Sequence, residues 1–263
     1  MVQLKPNEIL DATIAAGEVK ASGSFKKLFM LGIMAGMFIA LGGAGANMAS
    51  YCFALQPETA GIAKFIAGLI FPAGLCMVVL AGAELFTGNN LMFAAVLDKR
   101  ITVGAMLRNW VIVYLSNFVG SMIVVFIVVY GGQLTTGGGL LEQVTISIAA
   151  GKANIEFWPA LLKGILCNVL VCVAVWMGTG ADSTVGKIFA MFFPIWLFVT
   201  GGYEHCVANM YFVPAGILAD GGATVGLTWA NFWINNMIPV TIGNILGGSV
   251  FTAAAYYFAY KKA

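Results

Sequence analysis

Charge is what this chain has least of. Asp, Glu, Lys and Arg together make up 9% of its 263 residues, and it has one histidine. A soluble domain carries about 25% charge, so a solvated globular fold is excluded. With a net charge of +2 and no basic or acidic block, no nucleic-acid partner is expected. The five cysteines (Cys52, Cys76, Cys167, Cys172, Cys206) lie in or beside apolar runs, are odd in number and lack metal-ligand spacing. They read as small packing residues, and neither a metal nor a cofactor is expected. H-E-x-x-H, G-x-S-x-G and cofactor fingerprints are absent, which makes an intramembrane enzyme the weaker reading.

What remains is apolar. Hydrophobic residues account for 60% of the chain, against about 45–50% in soluble domains. Spans of about 26–54, 61–97, 102–131, 157–180, 186–219 and 230–260 are separated by polar gaps, each long enough for a crossing of about 20 residues. The second and fifth are too long for straight crossings, and each contains a polar break: Ala-Glu-Leu-Phe-Thr-Gly-Asn-Asn (83–90) and Gly-Gly-Tyr-Glu-His-Cys-Val-Ala-Asn (201–209). They read as half-helix, loop, half-helix, with unwound backbone facing a cavity rather than lipid. Ionisable groups in such places usually line a solute path or pair with one another. Before the first span, Lys5, Glu8, Asp11, Glu18 and Lys20 alternate with Ile9, Leu10, Ile14 and Val19. Residues 1–25 therefore read as an amphipathic helix on the membrane surface rather than a cleaved leader, and residues 26–263 as the transmembrane domain.

Six crossings put both termini on one side. Lys5, Lys20, Lys26, Lys27, Lys99, Arg100, Arg108, Lys187, Lys261 and Lys262 then share that side, ten of the 13 basic residues. Lys64, Lys152 and Lys163 fall on the other, so the terminal face is cytoplasmic by the positive-inside rule. The halves also repeat. Asn109 and Asn117, eight apart with Gly120 three further on, match Asn236, Asn244 and Gly247; Glu84 and Asn89 match Glu204 and Asn209. Three spans per half make the repeat inverted, with the two breaks facing each other near the midplane. Glycines such as Gly32 and Gly36 allow close helix contact.

Four strings, Ala-Glu-Leu-Phe-Thr-Gly-Asn (83–89), Leu-Cys-Asn-Val-Leu-Val-Cys-Val-Ala-Val-Trp-Met (166–177), Glu-His-Cys-Val-Ala-Asn-Met (204–210) and Ile-Pro-Val-Thr-Ile-Gly-Asn-Ile-Leu-Gly-Gly (238–248), resemble the formate/nitrite transporter family. The resemblance runs in order along essentially the whole chain. It implies an all-α, aquaporin-like six-helix protomer in a bacterial cytoplasmic (inner) membrane, assembled as a homopentamer with one pore per protomer. The implied substrates are small monovalent weak-acid anions: formate first, nitrite or hydrosulfide next. By motif, the resemblance makes His205 the pore histidine, Thr87 the threonine of the first broken span, and Asn168 the asparagine reaching toward the histidine. Lys152 matches an anion-attracting vestibule lysine. Phe71, Leu75, Val171 and Phe198, with Leu85 and Phe86 before Thr87, match an apolar constriction. Glu84, Glu204, Asn89 and Asn209 read as scaffold at the breaks, with the carboxylates expected to accept backbone N–H groups.

Moving a carboxylate-sized anion into low dielectric costs on the order of 20 kcal/mol by an idealised Born estimate, and apolar rings cannot replace its hydration water. The expected solution is neutralisation, with a proton supplied through His205, since imidazole titrates near physiological pH. Net passage would then be coupled to protons. An alternating-access proton/anion symporter is the alternative within transport. A neutral-solute aquaporin would need paired Asn-Pro-Ala motifs, which are missing.

Overall fold

The computed structural model describes Gln3–Lys261. Lys262, counted above with the terminal face, lies outside the described residues. Those residues form helices and connecting turns, with no strand among them. In chain order the helices are α1 (Pro6–Ala21), α2 (Phe25–Ala54), α3 (Ala60–Ala81), α4 (Phe86–Leu97), α5 (Val103–Tyr130), α6 (Leu140–Ala153), α7 (Phe157–Gly180), α8 (Thr184–Thr200), α9 (Cys206–Asp220) and α10 (Trp229–Tyr260).

Five of these, α2, α3, α5, α7 and α10, are long and apolar enough to cross a membrane. The residues expected to make the fifth crossing as two half-helices form two shorter apolar helices, α8 and α9, separated by residues 201–205. A similar gap, residues 82–85, separates α3 from α4. Glycine makes both gaps possible, because Gly82 (φ 82°) and Gly202 (φ 67°) adopt the left-handed conformation that a side chain disfavours. Helix starts are set by hydroxyl caps. Ser24, Thr102, Ser183 and Thr228 accept the N–H groups of Lys27, Ala105, Gly186 and Asn231, opening α2, α5, α8 and α10.

In the first half α2 and α5 are in backbone contact, and in the second α7 and α10. Gly36 of α2 lies against the Asn117 backbone of α5, and Gly120 of α5 against Ile33 of α2. In the second half Gly164 of α7 lies against Gly243 of α10, and Gly247 of α10 against Ile165 of α7. Gly32 and Gly36 thus serve contacts within the chain. Such approaches suit a membrane, where van der Waals packing replaces the hydrophobic effect between helices.

Three features differ from expectation. The apolar face of α1 does not lie free for the bilayer: Ile9, Leu10 and Ile14 are buried against Leu91, Ala94, Ala95 and Trp176. Val19 is exposed. Only part of the expected amphipathic stripe is therefore used, and the protein itself covers it. The polar stretch between α5 and α7 contains the unforeseen helix α6, which buries Leu141, Val144, Thr145 and Ala149 and meets Gly216 of α9 through Ala149. Finally, α10 widens to π-helical geometry over Phe232–Met237 and Leu246–Ala254. In the second stretch the Thr252 hydroxyl donates to the Gly247 carbonyl, meeting an acceptor near where the α-helical ladder is disrupted.

A Cβ on Gly120 would sit 2.0 Å from the Ile33 carbonyl oxygen, whereas one on Gly151 would meet nothing within 4 Å. Gly120→Ala should therefore destabilise the protein by about 1–3 kcal/mol, as overpacking does. Gly151→Ala should be neutral or slightly stabilising. Thermal unfolding of the two variants in detergent checks this.

Candidate functional site

Each gap between helices is held by one asparagine. At the first gap, Asn117 of α5 accepts the Phe86 N–H at Oδ1 (3.0 Å), while its Nδ2 donates to the carbonyls of Gly32 (2.8 Å) and Glu84 (2.9 Å). The Glu84 N–H reaches the Leu31 carbonyl. One amide thus meets the opening N–H of α4, a carbonyl in the gap and a carbonyl on α2. The Glu84 carboxylate accepts from Asn89 Nδ2 (2.7 Å) and from Lys20 Nζ (2.8 Å). Asn89 also donates to Asn109 Oδ1, and Asn109 Nδ2 donates to the Lys20 carbonyl.

The second gap repeats this set atom for atom. Asn244 of α10 accepts the Cys206 N–H (2.9 Å) and donates to the carbonyls of Gly164 (2.8 Å) and Glu204 (2.9 Å). Glu204 accepts from Asn209 (2.7 Å) and from Lys152 (2.9 Å). Asn209 donates to Asn236, which donates to the Lys152 carbonyl. Lys20 at the end of α1 and Lys152 at the end of α6 are therefore counterparts. The carboxylates do not accept backbone N–H groups as expected. They bind amides and amines, and the asparagine oxygens take the backbone donors.

Between the gaps, Thr87 and His205 are 0% and 2% exposed, and Thr87 Oγ1 lies 2.8 Å from His205 Nε2. His205 is also the N-cap of α9, its Nδ1 accepting the Ala208 N–H at 3.0 Å. With that lone pair engaged, the neutral ring carries its proton on Nε2 and donates it to Thr87, leaving the threonine hydroxyl hydrogen free for another acceptor. Asn168 does not bond to the histidine. Its Nδ2 lies 3.2 Å from the Thr87 carbonyl, 2.7 Å from Asn90 Oδ1 and 2.6 Å from the Asn244 carbonyl. It ties α4 to α7 and α10 beside the Thr87–His205 pair.

Above this pair the Phe71 and Phe198 rings meet edge-on at 5.5 Å, and Phe198 lies 5.8 Å from the imidazole. Leu75, Leu85 and Val171 are buried in the same apolar cluster. Phe86 stands apart. Its ring packs edge-on against Tyr114 (4.9 Å) and Trp110 (6.1 Å) and lines an apolar groove between α5 and α10. A cavity of about 480 Å³ opens on the face away from the termini and reaches Phe71, Phe198 and His205; Lys64, Lys152 and Lys163 line it. Sequence reasoning left Lys20 and Asn90 out of the site. The repeat could have supplied Lys20 as the partner of Glu84, had α6 been recognised as the equivalent of α1.

A model of the formate/nitrite transporter family matches residues 7–258. The probable formate transporter of Methanothermobacter thermautotrophicus is 39% identical over 98% of this chain and 97% of its own length. The formate channel FocA of Escherichia coli (strain K12) is 35% identical over 98% and 95%. Among solved structures, a pentameric formate channel with formate bound is 35% identical, with a TM-score of 0.79 over 90% of this chain and 98% of that one. An FNT family ion channel, 28% identical, gives a TM-score of 0.86 over 96% and 98%.

The Lys152–Glu204 pair is largely removed from solvent, with side chains 18% and 8% exposed. Removing one partner of a buried pair costs about 3–5 kcal/mol. Lys152→Met should therefore lower thermal stability markedly, and adding Glu204→Gln should restore much of it. A double-mutant cycle on detergent-purified protein measures the coupling.

Proposed function

This chain belongs to the formate/nitrite transporter family, and we propose that it is a channel for small monovalent weak-acid anions, formate foremost. It is a transport protein, not an enzyme. In this reading α2, α3 with α4, α5, α7, α8 with α9, and α10 make six crossings in an inverted three-plus-three repeat, with the second and fifth broken. Both termini are cytoplasmic. The likeness to a pentameric formate channel supports a homopentamer with one pore per protomer, set in the cytoplasmic membrane.

The Thr87–His205 contact carries the mechanism. An anion enters the cavity lined by Lys64, Lys152 and Lys163 and meets the Phe71–Phe198 ring pair, which offers no hydrogen-bond donor. As an ion it would face a barrier on the order of 20 kcal/mol by the Born estimate; as the neutral acid it would not. His205 Nε2–H and the Thr87 hydroxyl form a two-member donor chain beside the ring pair. Protonating Nδ1 opens the Ala208 cap, so His205 is neutral at rest and an imidazolium only in transit. A proton taken up at Nδ1 from solvent replaces the one that Nε2 passes to Thr87 as the Thr87 hydroxyl gives its own to the anion. Glu84 and Glu204, bound by amides and amines, hold the gaps open and leave the substrate to the neutral donors. Formate, nitrite and hydrosulfide each fit this chemistry, and competition uptake among the three ranks them.

His205→Asn keeps an N-cap residue at the start of α9, so the assembly should survive. In proteoliposomes, wild-type formate uptake should rise with external acidity, and the variant should lose that dependence along with most of its uptake. Variant uptake matching the wild type at every pH would sink the relay.

A further inference from the structure

The cavity facing away from the termini holds more positive charge than entry of a monovalent anion requires. Of its three lysines, only Lys152 is neutralised, by Glu204, the one carboxylate lining it. Lys64 and Lys163 are exposed and enter no ion pair among the described residues. Glu58, Glu142 and Glu156 do not line the cavity. The Lys64 amine hangs over the unwound backbone, where a Cβ on Gly202 would lie 3.4 Å from Nζ. Lys163 is anchored beside the same gap, since its carbonyl receives the Glu204 N–H. Asn47 also lines the cavity, 4% exposed, with an Nδ2 that has no hydrogen-bond partner. Two free amines and an unpaired buried amide make a donor set for a ligand with several acceptor oxygens and more than one negative charge.

We propose that this cavity is a binding site for a multivalent oxyanion of the phosphate or sulfate kind, which occupies the entrance without passing through. Binding rests on the cavity's own residues; the consequence for transport rests on the channel reading above. One relayed proton renders a monovalent weak-acid anion neutral. The same proton leaves a dianion charged, and it still faces the Phe71–Phe198 rings. A dianion is therefore attracted more strongly by the amines and rejected at the constriction, so it competes with the permeant ion.

The test uses the full-length protein in nanodiscs, titrated with inorganic phosphate by calorimetry at a pH where it is a dianion and at ionic strength fixed with chloride. Saturable binding is expected. It should weaken by about tenfold in Lys163→Gln, the loss of one charge-assisted hydrogen bond, and recover in Lys163→Arg. Both variants are made at an exposed position and should elute as the wild-type assembly. In proteoliposomes, external phosphate should raise the formate concentration giving half-maximal uptake without lowering the maximum. Absence of saturable binding, binding unchanged by Lys64→Gln and Lys163→Gln together, or entry of labelled phosphate into the vesicles would each overturn the proposal. Saturable, Lys163-dependent binding in a protein that takes up no weak acid would uphold the site and count against the channel reading instead.

Discussion

A gap between helices in apolar surroundings leaves backbone N–H and C=O groups without helical partners, and these must be met by other groups. Asn117 and Asn244 do this. Each amide accepts the first N–H of the helix that follows the gap and donates to one carbonyl in the gap and one on a neighbouring long helix. Only a primary amide has both the donors and the acceptor for this at one point. The glycine contacts between α2 and α5 and between α7 and α10 bring the backbones close enough for the amides to reach. The carboxylates follow from the same need. Glu84 and Glu204 hold Asn89 and Asn209 in place, and each is neutralised by a lysine from a helix outside the long crossings.

The scaffold is symmetric, but the chemistry at its centre is not. Glu84 is followed by Leu85 and Glu204 by His205; the first half then supplies Thr87 where the second has Val207. The repeat brings two unlike faces together, so a hydroxyl meets an imidazole rather than a copy of itself. The asymmetry has a structural cost that is also met locally. His205 caps α9 through its own ring, which settles the tautomer and directs Nε2–H at Thr87. Fold and site are thus joined at one residue: the group that caps α9 also lines the cavity and meets Thr87.

Much of this was legible in the chain. Asn109 and Asn117 stand in the same spacing as Asn236 and Asn244, and Glu84 with Asn89 matches Glu204 with Asn209; these are the residues that form the two networks. Lone polar residues in apolar runs are informative because hydrocarbon tolerates them only when paired. Lys20 was hidden because it belongs to a helix that reads as peripheral, and its equivalence to Lys152 depends on recognising α6, whose burying face is short. The partners of Asn168 were also out of reach, since Thr87, Asn90 and Asn244 are far from it in sequence and meet it only in the folded chain. Phe86 reads like its apolar neighbours, yet its ring turns toward Tyr114 and Trp110.

The sequence by itself determined a helical membrane chain, the positions of its two gaps and the identity of the buried polar residues, because composition, span length and spacing are local properties. Tertiary structure alone decided which donor meets which acceptor. The carboxylates bind amides and lysines rather than backbone, the histidine meets Thr87 rather than Asn168, and Lys64, Lys152 and Lys163, already assigned to one face, line a single cavity. Those choices depend on how closely two helices approach and which way a rotamer points, and the linear order of residues does not encode either quantity locally.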